Sequence, residues 1–222
     1  MKISVLIPVY NEQNTIVEVL EKVLSLPLEK EIIVVDDGST DDTSKVLKTL
    51  SLKQDIHIIT QKFNRGKGAA IKTGIKYATG DYVIIQDADL ELNPLDIIKL
   101  VDALKNGYHV VYGSRFLQKR KMPLINFYAN KFLTFLTNLL YHSNITDMET
   151  CYKLCATKIL NELDLKSERF EIEPEITCKI LKKGYKIKEV PISYNPRKEG
   201  KKIGWKDGFT AIFAILKYRF YE

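Results

Sequence analysis

Most of what would assign this chain to a special class is scarce or missing. Three cysteines, Cys151, Cys155 and Cys178, cannot all pair within one chain. A disulfide-stapled scaffold is therefore excluded, and a reducing compartment fits. Eleven glycines and seven prolines in 222 residues rule out collagen-like and low-complexity chains. No uninterrupted apolar run reaches the ~18 residues of a membrane span. The apolar start, Ile3–Val9, carries no small-residue cleavage site and reads as a first strand rather than a signal peptide. Cys151 and Cys155 stand four apart, a spacing that would put them on one helix face. Without further ligands nearby, core packing is expected of them rather than a metal site.

What is present is a globular composition, 45% hydrophobic and 28% charged, long enough for a sizeable core. The net charge of +6 favours anionic partners: phosphorylated small molecules, anionic lipid or nucleic acid. The chain carries no recognised nucleic-acid motif, so nucleic acid is not expected.

The first half alternates two patterns. Apolar runs at Ile3–Val9, Glu31–Val35, His57–Thr60, Asp81–Gln86 and His109–Tyr112 read as strands. Between them, helices are expected from Asn11 to Leu24 (capped by Asn11 or Asn14), from about Asp41 (capped by Ser39 or Thr40), from Gly66 to Ala78 and from Pro94 to Asn106. Such alternation predicts an α/β domain with a parallel sheet covered on both faces, and ligands at the carboxyl ends of its strands. Acidic and glycine clusters fall at those ends. With no repeat and no linker, residues 1–222 read as one domain.

The second half is greasier. From Met122 to Tyr141 the only charge is Lys131. Phe127, Lys131, Phe132, Phe135, Leu136, Leu139 and Leu140 keep helical spacing. Such a helix packs on the sheet, forms a homo-oligomer interface, or lies at a membrane surface. Near the C-terminus Phe209, Ile212, Phe213, Leu216 and Phe220 form an apolar face flanked by Lys201, Lys202, Lys206, Lys217 and Arg219, which suits an anionic membrane or a solvated flank.

Asp87-Ala88-Asp89 ends an apolar strand, and Glu91 follows two residues on. Paired carboxylates on an open edge suit Mg²⁺ or Mn²⁺ sharing its shell with substrate phosphates. Asp36-Asp37-Gly38-Ser39 places carboxylates where a ribose or base would be read. Asn64-Arg65-Gly66-Lys67-Gly68 sets two glycines and two cations at a helix start, where backbone amides and Lys67 would meet phosphate.

Together with Pro8-Val9-Tyr10-Asn11-Glu12, these motifs resemble the family 2 glycosyltransferases of the GT-A fold, in order and spacing over residues 1–115. Gly113-Ser114-Arg115, Asp147-Met148-Glu149-Thr150-Cys151-Tyr152-Lys153, and Tyr194-Asn195-Pro196-Arg197 followed by Gly200-Lys201-Lys202-Ile203 resemble the polyprenyl-phosphate hexosyltransferase branch. The resemblance implies a Rossmann-like, mostly parallel central sheet flanked by helices, with C-terminal amphipathic helices. Residues 1–115 would bind the nucleotide sugar, and residues 116–222 would face acceptor and membrane. It implies that Pro8, Tyr10, Asn11, Glu12, Asp37, Lys67, Asp87 and Ala88 bind the donor. Asp89 would be the chief ligand of Mg²⁺ or Mn²⁺, with Asp87 and Glu91 beside it. Arg115 and Arg197 would bind phosphate, with Lys131 standing where mannose synthases often carry a further arginine.

The activity so implied is inverting transfer of a hexose from a UDP- or GDP-sugar to a polyprenyl phosphate. The protein would be cytoplasmic, peripheral on the inner membrane face. A phosphate monoester is already an anion near neutral pH and needs no general base. A saccharide-extending enzyme would need one, with Asp147 or Glu149 as candidates. A non-catalytic nucleotide-sugar-binding module is the reading from another class.

Overall fold

The computed structural model describes residues 1–52, 56–118, 122–197 and 204–221. The Gly200-Lys201-Lys202-Ile203 stretch and the Lys206 side chain, part of the expected basic flank, lie outside the described residues.

The first half builds β1 (Ile3–Val9), α1 (Ile16–Leu24), β2 (Lys30–Asp36), α2 (Thr43–Ser51), β3 (His57–Thr60), α3 (Lys67–Ile75), β4 (Tyr82–Ile85), α4 (Ile97–Leu104) and β5 (Val110–Ser114). A short 3-10 turn, Pro94–Asp96, leads into α4. The second half adds α5 (Leu124–Tyr141), β6 (Lys153–Ala156), α6 (Thr157–Asn161), α7 (Ile172–Lys182), β7 (Lys188–Pro191) and α8 (Trp205–Phe220). The sheet runs β3-β2-β1-β4-β6-β5-β7. Among the described strands only β6 is antiparallel to its neighbours, with Leu154 opposite both Ile84 and Val111. The second half therefore completes the sheet begun by the first. Every residue of β1 is buried, as expected of a strand covered on both faces.

Two helix starts differ from the sequence expectation. Asn11 adopts a left-handed conformation (φ 50°) and caps nothing in α1. Its amide donates to Ser39 Oγ at 3.0 Å, and its Oδ1 accepts from the Thr40 amide at 2.8 Å, fastening the turn after β1 to the turn after β2. Helix α1 therefore waits until Ile16, behind Thr15. Likewise Asp41 Oδ1 accepts from the Thr43 amide at 2.9 Å, and this side-chain turn delays α2 to Thr43. Cys155 lies in β6 and Cys151 precedes it, so the two share no helix face. All three thiols are free and buried, and burial pushes Cys155 up to about 12.

A second, smaller core joins α5, α7 and α8. Leu133, Tyr141, Met148, Cys178, Ala214 and Ile215 meet there, and Tyr141 Oη donates to the Ile215 carbonyl at 2.9 Å. In α8 the packed residues are Ala211, Ala214, Ile215 and Tyr218. The bulky face Phe209, Phe213, Leu216 and Phe220 points outward, as do Leu124, Ile125, Tyr128, Phe132, Phe135 and Leu139 of α5.

Candidate functional site

Parallel pairing of β1, β2 and β4 brings their carboxyl ends to one edge, with Val9 level with Asp36. A cavity of about 730 Å³ opens there. Pro8, Tyr10, Glu12, Asp37, Lys67, Asp87, Ala88, Asp89, Glu91, Arg115 and Arg197, each expected from the sequence, lie on its wall. Asn11 does not, because its side chain is spent on the turn. Lys131 does not either. Its ammonium lies over the Phe116 ring at 4.3 Å and 3.4 Å from the Thr146 carbonyl. One helical step away, Asn126 and Asn130 face the cavity instead.

On the first side Asp37 accepts from the amides of Arg65 at 2.9 Å and Gly66 at 2.7 Å, and burial still raises its carboxyl above the usual range. Three amides of the segment expected to meet phosphate are already engaged: Arg65 and Gly66 donate to Asp37, and Ala69 donates to the Glu168 carbonyl at 2.9 Å. The glycines serve close packing: a Cβ on Gly68 would lie 2.6 Å from the Ser167 carbonyl oxygen.

In the centre, Lys67 bridges Asp87 at 2.7 Å and Glu173 at 2.9 Å. Burial alone would lower its pKa, but Asp87 and Glu173 carry it well above the usual value. Glu173 also pairs with Lys153, which has no exposed surface. Burial would raise the Glu173 carboxyl, but Lys153 and Lys67 hold it below the usual range. Asp89 is different. Burial first, then Asp87 and Glu91, raise it to about 7 against the opposing pull of Arg197. Arg197 Nη1 donates to Glu12 Oε1 at 2.9 Å, and Nη2 stands 3.7 Å from Asp89. Glu91 Oε1 accepts from the Arg197 amide at 2.9 Å and Oε2 from Tyr194 Oη at 3.2 Å, so it pins the Tyr194–Arg197 segment over the site.

On the second side Asp147, fully buried, takes Nε and Nη2 of Arg115, each at 2.8 Å. Asn130 shares Nη2 at 3.2 Å. Burial works against the Arg115 charge and Asp147 more than restores it. Asp147 is thus committed and off the cavity wall, which removes it as a general base. Glu149 is on the wall with Oε1 unpartnered. Burial is the largest cause that pushes it up to about 7, with Lys153 opposing. Beyond it the cavity continues as a trough between α5 and α8, lined by Ile125, Ala129, Leu133, Gly208 and Ala211 together with Asn126, Asn130 and Asp207.

Glu173 escaped the sequence reading, as did the Glu12–Arg197 pair. Glu171-Ile172-Glu173-Pro174-Glu175 did hold a signal. Glu173 and Glu175 lie among Ile172 and Ile176 on a buried helix face, where a carboxylate needs a partner.

The model of glycosyl transferase family 2 matches residues 4–164. An uncharacterized protein of Methanocaldococcus jannaschii, MJ1222, is 34% identical over 99% of this chain and 93% of its own length. A dolichol-phosphate mannosyltransferase of Pyrococcus furiosus is 31% identical over 90% of this chain, which spans 58% of that relative. Among solved structures, glucosyl-3-phosphoglycerate synthase from Mycobacterium tuberculosis in complex with Mn²⁺, UDP and glucosyl-3-phosphoglycerate superposes with a TM-score of 0.78. That match is at 19% identity and covers 98% of this chain and 80% of that one. The fold is therefore GT-A.

Proposed function

The chain belongs to glycosyl transferase family 2, and from that premise we propose that it transfers a hexose from a nucleotide sugar to a polyprenyl phosphate at the cytoplasmic face of a membrane, with inversion at the anomeric carbon. The observation that carries this reading is the continuity of the cavity. It runs from the Asp87–Asp89 carboxylates past Arg115 into the α5–α8 trough, where Ile125, Ala129, Leu133 and Ala211 supply apolar wall. An ionised headgroup and an isoprenoid tail match those two environments. The outward aromatic faces of α5 and α8 continue the trough onto a surface suited to lipid. Among the described residues no helix is long and apolar enough to cross a membrane. The resemblance to a dolichol-phosphate mannosyltransferase supports the same acceptor class.

Three crowded carboxylates, one raised to about 7, are a place that favours a divalent cation. Among the described residues no ready-made cluster holds a metal by itself. Mg²⁺ in particular is commonly bound by one or two carboxylates together with substrate phosphates. Asp89 and Asp87 would hold it, and it would neutralise charge on the departing diphosphate. Arg115 carries the acceptor's phosphate: Asp147 and Asn130 fix its plane, and Nη1 is left for the ligand. Tyr194 stacks beneath it at 5.3 Å. Arg197 and Glu12 bind across the mouth and keep water from the anomeric carbon. The acceptor oxygen arrives ionised, so no residue need remove a proton.

One observation favours a second reading. Glu149, on the wall with an unpartnered oxygen, would serve a hydroxyl acceptor as base. A donor panel of UDP- and GDP-hexoses with Mn²⁺ and either a short polyprenyl phosphate or an oligosaccharide as acceptor, read by mass spectrometry, separates the two. The proposal expects a lipid one hexose heavier with one donor, and an E149Q variant that retains the activity. Extension of a saccharide alone, abolished in E149Q, would establish the second reading instead.

A further inference from the structure

Four cationic side chains reach the cavity wall among the described residues: Lys67, Arg115, Arg169 and Arg197. Three are already held by carboxylates: Lys67 by Asp87 and Glu173, Arg115 by Asp147, Arg197 by Glu12. Arg169 differs. Its side chain is exposed to the cavity mouth, and among the described residues its guanidinium has no hydrogen bond or ion pair.

Its mount, by contrast, is firmly built. The amides of Lys166 and Ser167 donate to the two oxygens of Glu175, at 2.8 and 2.7 Å, and Glu175 is wholly buried. The Glu168 carbonyl accepts from Ala69. The segment lies so close to the start of α3 that a Cβ on Gly66 would be 2.5 Å from the Glu168 oxygen and 2.8 Å from Arg169 Cγ. Gly66 itself has φ 104°, which side chains rarely adopt. The two glycines that sequence reasoning gave to phosphate thus seat an arginine-bearing loop.

The location is equally specific. Gly66 is tied to Asp37 on one side, and Lys67 is tied to Asp87 on the other. A diphosphate joining a nucleoside near Asp37 to a sugar near Asp89 would cross the start of α3, the element against which the Arg169 side chain packs on the same cavity wall. We propose that Arg169 is the residue that grips the donor diphosphate, its planar fork taking phosphoryl oxygens in pairs. Glu175, Gly66 and Gly68 are the positioning residues behind it. The inference rests on the use of a nucleotide-sugar donor and is independent of the acceptor.

Calorimetry of the full chain with UDP, GDP, UMP and GMP in the presence of Mn²⁺ tests it. Wild type prefers a diphosphate over its monophosphate. Arg169→Ala loses about ten- to a hundredfold in diphosphate affinity, loses less for the monophosphate, and keeps the wild-type melting temperature. Arg169→Lys recovers part of the loss. Diphosphate binding unchanged in Arg169→Ala would overturn the assignment, as would a rise in acceptor KM with diphosphate binding intact. Failure of the wild type to bind either diphosphate would overturn the donor site itself and the proposal with it.

Discussion

The two ends of the cavity are built by opposite means. At the strand ends almost every polar group has a fixed partner: Asp37 on two amides, Lys67 between two carboxylates, Glu91 on an amide and a phenol. Between α5 and α8 the wall is poorer in charge, with Ile125, Ala129, Leu133 and Ala211 beside Asn126, Asn130 and Asp207, and the outer faces of both helices expose large aromatics, Phe209 at 66% and Phe213 at 69%. The first end is preorganised, so charge is held at set points before substrate arrives. The second depends on area and supplies adhesion without directed bonds. Arg115, Glu149 and the Glu173 network stand at the join.

If the polar end does the chemistry, its loss must be the larger. Asp89→Asn should lower kcat by about a thousandfold or more, with circular dichroism unchanged. Retention of rate would break the contrast. The same end should be the more fragile in folding. Lys153→Met takes one of two lysine partners from buried Glu173, leaving Lys67, and should cost about 1–3 kcal/mol of unfolding free energy, measured in urea.

Glu149 sharpens the join. Its folded pKa of about 7 lies above the ordinary 4.5, so the folded chain holds a proton that the unfolded chain has released. The stability this group contributes is therefore greatest below pH 4.5, falls as pH rises toward 7, and is flat above. Glu149→Gln should remove that fall. Relative to wild type it should gain roughly 3 kcal/mol between pH 4.5 and 8, read from urea melts at each pH. The smallest effect on folding belongs to the apolar end. Phe132→Ser with Phe213→Ser should change stability by no more than about 0.5 kcal/mol, yet reduce flotation with anionic liposomes at low salt. Unaltered flotation would detach the bare face from any membrane role.

The polar end was largely legible because strand ends place residues by order along the chain. Asp36-Asp37 and Asp87-Ala88-Asp89 needed only the alternation of strand and helix to be brought together. What the sequence did not reveal were pairings between distant residues. Glu12 meets Arg197 across 185 positions, and Arg65 meets Glu168 across 103. No local spacing encodes such contacts. Nor does periodicity reveal antiparallel β6, whose four residues, Lys153–Ala156, are too few for a pattern. In α8 the spacing found the bulky stripe, but the packing chose the small one, since Ala211 and Ala214 permit close approach to α5 and α7. In α5 the helical spacing grouped Phe132, Phe135 and Leu139 with Leu136 and Leu140, and the packed structure separates them: the first three are exposed, while the other two pack against the second core.

The central claim is that the join and the α5–α8 end of this cavity serve one acceptor, a phosphate on Arg115 carrying an isoprenoid tail. It is tested most directly by kcat/KM for dimethylallyl, geranyl and farnesyl phosphates, with the productive nucleotide sugar held constant. Burial of successive isoprene units in the α5–α8 trough predicts a rise of about tenfold or more per unit. A flat series, with the shortest phosphate as good as the longest, would contradict it.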